Sequence, residues 1–162
     1  MRRAVSLLIA VVSAGLVVAA GAAIAKTSHE GWPAIDGVTK MHTRDQSSAI
    51  DGTSRNDELL GGHGSDTLWG RGGDDVLWGD YKPGGQPAGQ VDHINGGTGN
   101  DFIYAGHGSN AIDAGPGGDV VHAHYGRGTI DCGGGIDTLF VSHRAQKVYK
   151  ISRCEKLSYK SS

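Results

Sequence analysis

Gly61-Gly62-His63-Gly64-Ser65-Asp66-Thr67-Leu68-Trp69 is the stretch whose reading decides the fold. Working outward from it, the sixth position recurs as Asp57, Asp66, Asp75, Asp92, Asp101, Asn110, Asp119, Gly128 and Asp137. The eighth position is aliphatic throughout: Leu59, Leu68, Leu77, Ile94, Ile103, Ile112, Val121, Ile130 and Leu139. The fourth is mostly glycine, at Gly64, Gly73, Gly99, Gly108, Gly117, Gly126 and Gly135. The period is nine residues, with a single break of 17 between Asp75 and Asp92. That excess holds Tyr81-Lys82-Pro83-Gly84-Gly85-Gln86-Pro87, a turn composition, so it reads as one enlarged loop over 81–90.

A nine-residue period has a physical solution. Positions one to six form a turn whose glycines tolerate positive φ and close backbone approach. Positions seven to nine form a short strand with the eighth side chain pointing inward and its neighbours outward. Two repeats complete one coil, so repeats two apart stack in the same sheet. No repeat buries its own apolar residue; stacking makes the core, expected as a single file of Leu, Ile and Val. The expected fold is all-β, a parallel β-roll or two-sheet solenoid. The 28 glycines follow this period and not the every-third-residue period of collagen.

The pattern resembles the Gly-Gly-x-Gly-x-Asp-x-hydrophobic-x repeat of the hemolysin-type, or RTX, calcium-binding proteins. About nine copies run from residue 52 to 140. The resemblance implies Ca²⁺ between stacked turns, held by sixth-position carboxylates and backbone carbonyls, hard oxygen ligands that suit this ion. It assigns Asp57, Asp75, Asp101, Asp119 and Asp137 to one turn edge as an unbroken row. The other edge carries Asp66 and Asp92, then Asn110 and Gly128, and is expected to be degenerate. The copy ending at Asp57 lacks the fourth glycine and carries Arg55, which makes its site the weakest of its row. The enlarged loop enters just before Asp92 and weakens the Asp66–Asp92 pair. Turn capping alone accounts for an Asp near each turn, but not for a stacked row of like charges.

The flanks divide the chain further. Residues 1–25 read as a signal peptide, with Arg2 and Arg3 before an apolar run and Ala23-Ile24-Ala25 at its exit. An uncleaved membrane anchor is the alternative. A flank or linker follows over 26–49, then the roll over 50–140 and a C-terminal cap or tail over 141–162. Without Arg2 and Arg3 the chain keeps 13 basic against 17 acidic residues, a formal net charge of −4. That balance gives no global attraction to nucleic acid. Cys132 and Cys154 form an even pair, read in an exported chain as a disulfide pinning the cap; two buried thiols are the alternative.

The outward positions differ between the two sheets. One carries Glu58/Leu60, Val76/Trp78, Phe102/Tyr104, Val120/His122 and Thr138/Phe140, an apolar and aromatic face. The other carries Thr67/Trp69, His93/Asn95, Ala111/Asp113 and Thr129/Asp131, mostly polar. Trp78, Phe102, Tyr104 and Phe140 are therefore candidates for an interaction face, unless the chain's own flanks cover them. His122 and His124 form a close pair, but a zinc site needs further ligands. No catalytic motif is present, and the chain is read as a non-enzyme. The reading is a secreted or cell-surface module that folds or is stabilised on binding Ca²⁺, its mature form not membrane-spanning. The alternative is an adhesin-like or glycan-binding protein using the aromatic face, with calcium only structural.

Overall fold

The computed structural model describes residues 31–42, 45–81 and 89–160. The expected signal peptide (1–25), the first residues of the flank (26–30) and most of the enlarged loop (82–88) lie outside the described residues.

Among the described residues fifteen short strands follow one another. The first seven are β1 (Thr39–Met41), β2 (Ala49–Asp51), β3 (Glu58–Leu60), β4 (Thr67–Gly72), β5 (Val76–Trp78), β6 (Val91–Thr98) and β7 (Phe102–Tyr104). Then come β8 (Ser109–Asp113), β9 (Pro116–Gly117), β10 (Val120–Ala123), β11 (Arg127–Asp131) and β12 (Gly134–Gly135). The last three are β13 (Thr138–Val141), β14 (Tyr149–Ser152) and β15 (Lys156–Ser158), with a 3₁₀ turn at Ala145–Lys147 before β14.

They alternate between two parallel sheets. One has seven strands in the order β1-β3-β5-β7-β10-β13-β15, and the other six in the order β14-β11-β8-β6-β4-β2. A two-stranded ladder, β12-β9, joins neighbouring turns. The chain is thus an all-parallel, two-sheet β-solenoid. The register keeps eighth positions opposite each other: Leu59 faces Leu77, Leu77 faces Ile103, and Val121 faces both Ile103 and Leu139. In the second sheet Leu68 faces Ile94, Ile94 faces Ile112, and Ile112 faces Ile130.

The turns depend on glycine where backbones nearly touch. Gly99 has φ +129, and a Cβ there would collide with the carbonyl of Gly73, one coil away. Gly128 likewise has φ +128 and sits against the backbone of Asn110. Side chains at either place would add steric clash to a strained φ.

The core differs from a single file. Strand alternation carries past the ninth residue, so the first position of the next turn also points inward. In the second half of the roll these positions hold Ala105, Ala114, Ala123, Cys132 and Val141, all fully buried. They form a second apolar file beside Ile103, Ile112, Val121, Ile130 and Leu139. In the first half the same positions are Gly52, Gly61, Gly70, Gly79 and Gly96, which leave the second file without side chains. The roll therefore has a narrow half and a filled half.

Both sheets run past the nine repeats. β1 and β2 extend them upstream with Lys40 and Ile50 in the inward register, although their turns lack the glycine pattern. β14 and β15 extend them downstream, placing Ile151 beside Ile130 and Leu157 beside Leu139. Cys132 and Cys154 are joined in a disulfide, their Cα atoms 5.1 Å apart. The bridge ties the last turn to the one before it. On the chain-entropy model a loop of this length is worth about 3 kcal/mol.

Candidate cation-binding edges

Each sixth-position side chain leaves its strand at the turn and folds back into the stack. The Asp57 amide donates to Asp75 Oδ1 at 2.7 Å, Asp75 to Asp101 Oδ1 at 2.9 Å, and Asp101 to Asp119 Oδ1 at 2.8 Å. The Asp119 amide continues to Asp137 Oδ1 at 2.8 Å. These aspartates are fully or almost fully buried. One oxygen of each carboxylate is thus spent on the backbone of the preceding coil. The other, Oδ2, is buried without a hydrogen-bond partner in Asp75, Asp101, Asp119 and Asp137.

The second edge begins in the same way. The Asp66 amide donates to Asp92 Oδ1 at 2.9 Å, and Asp92 Oδ2 is left without a partner. Asp57 and Asp66 differ from the rest. Asp57 accepts from Val38 N, Thr53 N and Thr53 Oγ1, and Asp66 from Ser48 N, Ser48 Oγ and Gly62 N. Both oxygens of each are therefore engaged by the protein itself. The two terminal aspartates close the rows, and five internal ones carry a spare oxygen.

Beyond Asp92 the second edge changes character. Asn110 and Gly128 occupy the next two sixth positions; Tyr149 pairs with Gly128 in the next strand, and its hydroxyl lies over Gly126. Asn110 Nδ2 donates to the Tyr149 hydroxyl at 2.8 Å, which in turn donates to the Tyr125 carbonyl at 3.0 Å. A neutral network replaces carboxylates there. Tyr149 follows Gly128 by 21 residues, off the nine-residue period, so the spacing alone does not disclose it.

The spare oxygens have carbonyls for neighbours. A Cβ built on Gly79 would stand 2.6 Å from the Ala105 carbonyl oxygen and 3.1 Å from Asp92 Oδ2. One on Gly70 would meet the Gly96 carbonyl and Asp75 Oδ2, and one on Gly96 the Ala114 carbonyl and Asp101 Oδ2. Beside Asp75, Asp92 and Asp101 the first-position glycines thus hold open a small space where a carboxylate oxygen and a carbonyl oxygen converge, whereas beside Asp119 and Asp137 that position is Ala114 and Cys132. Hard oxygen donors without a proton to share fit a divalent cation such as Ca²⁺. Among the described residues no group of three or more His, Cys, Asp or Glu is arranged to hold a metal. Any cation here must therefore draw on carbonyls and water as well as on paired carboxylates.

Electrostatics follow from the burial of these carboxylates. Burial pushes Asp101 up to about 8, Asp75 and Asp92 up to about 7, and Asp119 up to about 6, each despite the backbone amide it accepts. Neighbouring aspartates in the row add to the rise. Without a counter-ion these sites hold protons far above the ordinary carboxylate range.

The aromatic residues form a column on the seven-stranded sheet. Trp78 stacks on Tyr104 at 4.3 Å, Tyr104 on His122 at 4.6 Å, and His122 on Phe140 at 4.8 Å. Trp32, from the N-terminal flank, packs against both Trp78 and Tyr104, and its Nε1 donates to the Tyr104 hydroxyl at 3.0 Å. Phe102, two residues before Tyr104, is half-buried. His122 is held down to about 4 by burial and by the nearby His124.

These features define a class of protein: a parallel β-roll whose turns carry stacked, buried carboxylates. A comparison with protein families finds the RTX calcium-binding nonapeptide repeat in four copies, over residues 51–80 and 89–121. Over those residues, less than half of its length, the chain matches the hemolysin-type RTX repeat, whose family is one of structural calcium-binding modules. Comparisons with curated proteins and with solved structures found no match. Glu155 lies outside the matched residues. It follows Asp137 by 18 residues, and its Oε2 accepts the Asp137 amide at 2.9 Å, as the next rung of the row. The 18-residue spacing was the available signal for it, hidden because no glycine-rich turn precedes Glu155.

Proposed function

We propose that this protein is an exported β-roll that is stabilised by Ca²⁺ at its turn edges. The principal observation is the set of buried Oδ2 atoms without partners in Asp75, Asp92, Asp101, Asp119 and Asp137. A native fold rarely leaves five such acceptors unsatisfied, and stacked like charges repel unless a cation or protons intervene. Cation binding neutralises the rows, and its free energy becomes folding free energy. The richest part of the site is the run Asp75–Asp101–Asp119, with Asp92 on the other edge; Asp57 and Asp66 serve as row ends. The apolar leader and the disulfide support export to a calcium-rich compartment. Among the described residues no helix is long and apolar enough to cross a membrane.

A second reading uses the column of Trp78, Tyr104 and Phe140 as a docking face for a glycan or a surface protein. Its stacked geometry favours planar or sugar-ring ligands. Such a ligand has to displace Trp32 from Trp78 and Tyr104, so calcium binding is the better-supported activity.

Calcium titration of the oxidised protein, followed by far-UV circular dichroism and calorimetry with magnesium as control, tests the proposal. A rise in melting temperature that Asp101→Ala and Asp119→Ala abolish supports it. A folded protein indifferent to both calcium and chelator removes it.

A further inference from the structure

We propose that Asp137 and Glu155 form an additional divalent-cation site at the end of the carboxylate row, with Glu155 held in place by the Cys132–Cys154 disulfide. This rests on the calcium reading above and extends it beyond the repeats that the family comparison matches, which end at residue 121.

The geometry of the row is unbroken across this junction. The Asp137 amide donates to Glu155 Oε2 at 2.9 Å, as the Asp119 amide does to Asp137 Oδ1 at 2.8 Å. The Lys156 amide then donates to the Asp137 carbonyl at 3.0 Å, so the ladder continues directly past Glu155. Asp137 itself is fully buried, and its Oδ2 has no hydrogen-bond partner. A buried, spare carboxylate oxygen thus adjoins a second carboxylate.

The change from Asp to Glu has a local reason. In the preceding coil the turn from Asp131 to Thr138 is glycine-rich, whereas the equivalent link from Ser152 to Lys156 is only Arg153-Cys154-Glu155. A shorter turn brings less backbone toward the row, and one more methylene restores the reach of the carboxylate. Arg153 makes its ion pair with Asp131, its Nη2 2.6 Å from Oδ2, and acts on Asp137 only through its field, which does not offset the burial that raises Asp137. The disulfide anchors Cys154, the residue before Glu155, to the fully buried Cys132. It thereby stands in for the glycine-rich backbone that fixes the other sixth positions. Glu155 is exposed, so water completes this site and it fills last.

The bland role for Glu155 is to accept the last amide of the row. Glutamine does that equally well, since its side-chain carbonyl accepts the same hydrogen bond, but it carries no charge. The test is therefore calcium stoichiometry by isothermal titration and equilibrium dialysis on the full oxidised chain, its Glu155→Gln variant, and both after reduction. Glu155→Gln should bind one calcium ion fewer, with the remaining affinities within about twofold of the parent. Reduction of the parent should remove the same single ion, and reduction of the variant none. Equal stoichiometry in parent and Glu155→Gln overturns the terminal site while leaving the Asp rows intact. A parent that binds no calcium overturns the underlying reading instead. If reduction strips every ion, the disulfide supports the whole roll and its positioning role for Glu155 is rejected. Cys132→Ala/Cys154→Ala serves as a second check on the reduced state.

Discussion

Asn110 reaches across the coil of Gly128 to the hydroxyl of Tyr149, 39 residues away in sequence, at 2.8 Å. A sixth position without a side chain thus admits a ring from the next coil, and the degenerate edge is closed by neutral hydrogen bonds. Asn110 Oδ1 stays buried there without a partner, so the closure is carried by its Nδ2 and the tyrosine hydroxyl. Tyr149→Phe should cost about 1–2 kcal/mol, because it removes the donor to Tyr125 and the acceptor for Asn110. The loss should be the same in calcium and in chelator, as urea denaturation of the oxidised protein would show. A loss seen only with calcium contradicts a metal-free closure.

The row aspartates set the pH dependence of the calcium-free protein. Burial raises Asp75, Asp92, Asp101 and Asp119 into the range from about 6 to about 8, above their unfolded values. Their contribution is fully present below the ordinary carboxylate pKa and is lost as pH rises through those raised values. His122 acts oppositely: held down to about 4, it removes stability as pH falls below the ordinary histidine value. Four carboxylates outweigh one imidazole. Chelated protein should therefore melt higher near pH ~6 than near pH ~8.5, by on the order of 10 °C. Saturating calcium should reverse the order, since the ion requires deprotonated ligands. Calorimetry at both pH values reads the sign directly.

Asp101→Asn separates the two roles of one carboxylate. Asparagine keeps an oxygen to accept the Asp75 amide but removes the buried charge that faces Asp75 and Asp119. Without calcium at pH ~8 the variant should be more stable than the parent by roughly 1–2 kcal/mol. With calcium it should be less stable, its affinity weakened by about tenfold or more. A variant destabilised equally in both conditions would indicate a purely structural aspartate.

Trp32 covers the middle of the aromatic column from outside the repeats. Trp32→Ala should cost about 2 kcal/mol, for the loss of half-buried apolar surface and of the bond to Tyr104. It should also increase binding of a hydrophobic dye while leaving calcium stoichiometry unchanged. An unchanged dye signal would mean that Trp32 shields little of Trp78 and Tyr104.

Much of this was legible before any coordinates. The eighth-position file and the sixth-position rows follow from a period strict enough that residues two repeats apart must stack. The second apolar file was not legible from the repeat that exposes the pattern, because Gly61 and Gly70 occupy its place there and hide the inward direction of the first position. Its signature is the change to Ala105, Ala114, Ala123, Cys132 and Val141 further along. The added coils were hidden for different reasons. β1 pairs with β3 at a spacing of 19 residues, and β14 with β11 at 21, so each has slipped off the repeat. β2 and β15 keep 18, and in both the glycines that would have announced the turn are gone.

The break between Asp75 and Asp92 has a further implication. Across it, stacked partners are 26 residues apart and not 18, yet the bond from Asp75 to Asp101 is 2.9 Å and that from Asp66 to Asp92 is also 2.9 Å. The stack counts coils and is indifferent to how much chain leaves it between them. A place where the rungs on either side tolerate extra sequence between them is a natural splice port. A peptide, tag or small domain inserted after Tyr81 would be displayed at a fixed height along the roll, with the rungs on either side still in step.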